Sequence, residues 1–78
     1  MNAPQLLDLT GLDCPLPVLK TKKFLATMTP GDSVKIITTD PASVQDFQEF
    51  CQKTGNILLS QDVIGNIITS VIKRRSDN

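Results

Sequence analysis

The sequence predicts an α/β (α+β) two-layer sandwich of order β-α-β-α-β-β, with a mixed four-stranded sheet and two helices on one face. Three observations lead there. Apolar spacing alternates between a period of two and a helical period along the 78 residues. Proline and glycine punctuate the joins between those segments. The last third is two strand-like runs around Gly65-Asn66. The length suits a single domain over 1–78, with a polar tail at 75–78.

The elements follow in order. From Gln5 to Thr10, Leu7 and Leu9 share one face and Asp8 and Thr10 the other, a short half-buried strand. Gly11 to Asp13 makes a turn. From Pro15 to about Met28 the stripe Val18, Thr21, Phe24, Leu25 and Met28 is helical, and the prolines mark its first turn, where a missing N–H does no harm. Thr29-Pro30-Gly31-Asp32 stops it. The β-branched run Ser33–Thr39 is the second strand.

Asp40-Pro41 reads as an N-cap followed by proline at the first helical position. The second helix then runs to about Thr54, with Gly55 beyond it. Its apolar stripe is Val44, Phe47, Phe50 and Cys51, while Asp46, Gln48, Glu49 and Gln52 read as solvated. In the closing hairpin, Gly65-Asn66 suits a two-residue type II′ turn that pairs Ile64 with Ile67. Strict alternation puts Ile57, Leu59, Val63, Ile68 and Ile72 on the core side. The opposite face then carries Leu58, Ile64 and Val71 among polar residues.

Composition removes several classes of function. Eight basic and eight acidic residues give zero formal net charge, and there is no Trp or Tyr and only three Phe. That argues against stable, direct nucleic-acid binding. No apolar stretch approaches the ~20 residues of a membrane helix, and the N-terminus lacks a basic region followed by an apolar core, so a cytoplasmic protein is expected. With no histidine and two cysteines 37 positions apart, no metal site is expected, and in a reducing compartment both cysteines read as free thiols.

The two cysteines differ. Cys51 lies inside an apolar helical stripe and reads as a small core residue. Cys14 lies on no stripe and ends a strand-to-helix turn, in Thr10-Gly11-Leu12-Asp13-Cys14-Pro15-Leu16-Pro17. Facing a helix N-terminus, its thiolate is expected to be favoured by about 0.3–1 kcal/mol, with Asp13 opposing. Without histidine, a Cys–His hydrolase is excluded. Thiol exchange, oxidation, or carrying a group on sulfur remain.

Gly11-Leu12-Asp13-Cys14-Pro15-Leu16-Pro17 resembles the G-x-x-C-P-x-P signature of the TusA-like (SirA-like) sulfur-carrier proteins. The likeness extends through Met28 to Asp32, Asp40-Pro41-Ala42, Phe50-Cys51 and the hairpin. It implies a two-layer sandwich in which Cys14 is the catalytic residue, accepting sulfane sulfur as a persulfide, with Gly11, Asp13, Pro15 and Pro17 as the supporting motif. It implies no cofactor of the protein's own. The partners it implies are a cysteine desulfurase (itself using pyridoxal phosphate) or another persulfide donor, and a downstream acceptor protein. In one branch the sulfur ends in tRNA 2-thiouridine; others serve sulfur oxidation or thiosulfate utilisation. Lys20 and Lys23 are the candidate rim of a docking surface.

Two other readings stand beside the carrier. One is a non-catalytic binding module contacting RNA or protein through the sheet and Lys73-Arg74-Arg75. The other is a thiol redox switch, for which Cys51 on a core face is a poor resolving thiol.

Overall fold

The structure, a computed structural model, describes residues 3–76. Its elements are β1 (Gln5–Asp8), α1 (Leu16–Thr27), β2 (Ser33–Thr38), α2 (Ala42–Thr54), β3 (Ile57–Ile64) and β4 (Ile67–Lys73). The sheet order is β1-β2-β4-β3, with β1 and β2 parallel and the other two pairs antiparallel. The expected α+β architecture is therefore present: a mixed sheet with both helices packed on one face.

That face of the sheet is built by alternation. Val34, Ile36 and Thr38 of β2 and Ser70 and Ile72 of β4 are fully buried, with Ile68 nearly so. Against them α1 presents Pro17, Thr21 and Leu25, and α2 presents Ser43, Phe47 and Cys51. Leu9 and Met28 complete the core. At the buried join of β2 and α2, the hydroxyls of Thr38 and Ser43 lie 2.6 Å apart, and Ser43 Oγ donates to the Asp40 carbonyl at 2.7 Å. Of the expected stripes, Thr21, Leu25, Met28, Phe47 and Cys51 are buried, and Val18, Phe24 and Phe50 pack at the margin. Buried Pro17 and Ser43 were outside them, and Val44 is only half-buried.

The turns work as their chemistry requires. Gly11 (φ +82°) follows Leu9-Thr10, and the Leu12 N–H closes onto the Leu9 carbonyl at 3.3 Å. Gly55 caps α2 in the left-handed region, its N–H donating to Cys51 O. Gly65 has φ +61° and, among the described residues, no non-glycine has positive φ, the pattern of a type II′ hairpin that pairs Ile64 with Ile67.

Two expectations need correction. Leu59 does not face the core: β3 shifts register against β4 between Leu58 and Ser60, a bulge at Leu59. The extra residue reverses the parity of everything before it. Leu58 pairs with Ile72 and packs on the core, whereas Ile57 pairs with Lys73 on the opposite face. Val63 shares the helix-facing side with Ile68, but at 59% exposure it lies beyond the cover of α2. The open face carries Leu6, Ile57, Ile64 (79% exposed) and Ile67, along with half-buried Val71.

The second concerns how firmly the chain past β4 is held, at Arg74 and at the first residue of the expected 75–78 tail. Arg74 pairs with the turn before β2, its N–H to Asp32 O at 2.8 Å and its carbonyl receiving Gly31 N–H at 3.1 Å. Its guanidinium donates to Met28 O. Arg75 donates from its backbone to Asn56 Oδ1 and from its guanidinium to Thr54 O, both at 2.9 Å. These residues fasten the end of β4 across the ends of both helices. Of the expected tail, Asp77 and Asn78 lie outside the described residues, as do Met1 and Asn2 at the start.

Candidate active site

Cys14 is exposed at the head of a groove between α1 and α2, and both cysteines are free thiols. The groove, about 240 Å³, is lined by Cys14, Pro15 and Val18 on one wall and Asp46, Glu49, Phe50 and Lys53 on the other. The second set recurs at i, i+3, i+4 and i+7, one face of α2.

Sequence places the cysteine there in a few steps. Gly11 turns the chain out of β1, and its N–H donates to Thr39 Oγ1 at 2.9 Å. Asp13 is exposed, and its carbonyl receives the Leu16 N–H at 2.9 Å, closing a turn around Cys14-Pro15. The Cys14–Pro15 peptide is cis. The helix begins at Leu16, so Pro15 stands at its cap and Pro17, buried, inside its first turn. The Cys14 N–H donates to Asp40 Oδ2 at 2.7 Å, while Oδ1 of the same carboxylate receives Ala42 N–H at 3.0 Å. The helix begins one residue later than expected, with Pro41 rather than Asp40 at its cap position. Asp40 still accepts its first N–H and also clamps the cysteine to that helix, which was not foreseen.

The electrostatics reverse an expectation. The helix terminus was to favour the thiolate; instead the Cys14 pKa is pushed up, first by the Asp46 carboxylate as hydrogen-bond acceptor, then by desolvation and the charges of Asp46 and Asp40. The physical reason is local. Pro15 and Pro17 carry no N–H, and Leu16's is used by Asp13, so few donors remain to face the sulfur. The opposing carboxylates are Asp46 of α2, brought close by the Asp40 clamp, and Asp40 itself. Asp46, read from the sequence as solvated, is half-buried.

Cys51 behaves as expected, 5% exposed in the core, with burial pushing its thiol up to about 11. Lys20 and Lys23 do not rim the Cys14 groove; they line a separate depression with Leu7, Leu9, Phe24 and Thr27. The lysine of the groove is Lys53. Among the described residues no cluster of His, Cys, Asp or Glu is arranged to hold a metal ion, and no helix is long and apolar enough to cross a membrane.

Comparison with known proteins decides the family. The model of the family described as sulfurtransferase TusA matches residues 5–74, from the start of β1 to just past β4. The chain belongs to the TusA family. The sulfur carrier protein TusA of Allochromatium vinosum is 44% identical over 70 residues, covering 90% of this chain and 92% of its own. That of Pseudomonas putida is 33% identical over 72 residues, covering 92% and 90%. The crystal structure of a SirA-like protein from Desulfitobacterium hafniense superposes with a TM-score of 0.77 at 25% identity, covering 91% of this chain and 97% of that one. The TusA match takes in both walls of the groove and the Asp40 clamp, so the thiol and its surroundings lie within the matched region.

Proposed function

We propose that the protein accepts sulfane sulfur on Cys14 as a persulfide and passes it to an acceptor protein, as a carrier in tRNA 2-thiouridine formation. One observation supports this above the others: an accessible free thiol stands at the head of an open groove. The chain has no histidine to make it a hydrolase. Membership of the TusA family supplies the substrate class.

The chemistry needs little else. Cys14 Sγ bonds to the outer sulfur of a donor persulfide, and that sulfur's bond to the donor cysteine breaks, its electron pair leaving on the donor sulfur. The proton lost by Cys14 ends on the donor thiol, so one thiol and one persulfide exchange roles without oxidant or reductant. Delivery repeats the exchange, with the acceptor thiolate attacking the outer sulfur on Cys14. A cysteine desulfurase fits the donor's role, and the cytoplasm, where thiols stay reduced, suits the exchange. Gly11, Asp13, Pro15 and Pro17 shape the loop that displays the sulfur.

The test uses radiolabelled cysteine and a cysteine desulfurase. Wild type acquires label that a reductant removes, Cys14→Ser acquires none, and Cys51→Ala labels as wild type does. Deleting the gene should lower 2-thiouridine in tRNA, restored by wild type and not by Cys14→Ser. Label retained on Cys14→Ser contradicts the carrier assignment; unchanged 2-thiouridine contradicts the tRNA destination alone.

A further inference from the structure

Asp46 has no part in the exchange as written, yet its placement is distinctive. Gln45, Gln48 and Glu49 around it on α2 are exposed, whereas Asp46 is half-buried, turned into the groove that Cys14 heads. The geometry relating the two is fixed from below. One carboxylate, Asp40, holds both the Cys14 N–H and the first turn of α2, so the cysteine is tied to the helix that carries Asp46 six residues later. We propose that Asp46 is a positioning residue for Cys14: its carboxylate accepts the Sγ–H, aims the sulfur along the groove, and keeps the resting carrier in its thiol form.

The surrounding charges agree. Asp13 lies on the cysteine's own loop; α2 and the residues before it contribute Asp40, Asp46, Glu49 and Lys53; among the described residues α1 and its cap add Val18 and Pro15, neither charged, to the groove. Lys53, two turns beyond Asp46, is the only cation lining the groove among the described residues. The upward displacement of the Cys14 pKa has Asp46 as its largest cause. A diffusible electrophile therefore meets a thiol at neutral pH, and the free carrier is muted toward small reagents. The inference rests on Cys14 being the sulfur-loaded residue and says how that residue is kept.

The experiment is alkylation of the full chain by iodoacetamide across a pH series, with peptide-resolved mass spectrometry to separate Cys14 from Cys51. Asp46→Asn is expected to move the Cys14 midpoint to lower pH and raise its alkylation rate at neutral pH about twofold to tenfold. Rates converge in alkali, where both proteins are fully thiolate. Asp46→Glu, which restores a carboxylate, returns the profile toward wild type. Asp62→Asn, the same charge loss on the open sheet face, leaves it in place. An Asp46→Asn profile that superimposes on wild type or moves to higher pH overturns the proposal, as does an Asp62→Asn shift of equal size. Because the readout is alkylation, these outcomes are separate from the carrier reading, which fails only if Cys14 takes up no sulfur.

Discussion

Asp40 does more at the residue scale than its place before a helix suggests. Its carboxyl is held below the usual carboxylate range, first by the Cys14 N–H and then by that of Ala42. A folded-state value below the unfolded one contributes stability at neutral pH, and that contribution is lost as pH falls through the folded value. Asp40→Asn should therefore melt below wild type at neutral pH, and the two melting temperatures should converge on acidification below the ordinary carboxylate range. Curves that stay parallel would contradict the clamp. Cys14 itself was legible in the sequence, because glycine and two prolines announce a displayed loop before a helix. Its electrostatics were not. On a helical wheel Asp46 looks like its polar neighbours, and only the docking of the β1–α1 loop on α2 singles it out.

At the scale of elements, both helices and their stripes follow from spacing, and the hairpin turn from Gly65-Asn66. The core face of β3 does not. One extra residue at Leu59 reverses parity, and no glycine or proline marks the place. The consequence is a pair of substitutions with opposite expectations. Leu58→Ala, which uncovers part of the core, should cost about 1–2 kcal/mol. Leu59→Ala, at a site 54% exposed, should stay within about 0.5 kcal/mol of wild type. Denaturant midpoints measure both; the reverse order would restore the strictly alternating register. The hydrogen bonds of Arg74 and Arg75 were likewise not foreseen, because their partners at Met28, Asp32, Thr54 and Asn56 are distant or unremarkable in sequence.

Across the whole molecule, the division of labour between the two thiols is the main result. The core takes in Cys51 and closes it off, while the loop from β1 hangs Cys14 on α2 at the mouth of a groove. Zero net charge leaves no long-range pull toward nucleic acid. The account is tested most directly by incubating wild type with a cysteine desulfurase and cysteine, blocking free thiols, and locating the added sulfur by peptide mass spectrometry. The account predicts a single extra sulfur on the peptide containing Cys14 and none on that containing Cys51. An extra sulfur on Cys51, or on neither cysteine, would contradict it.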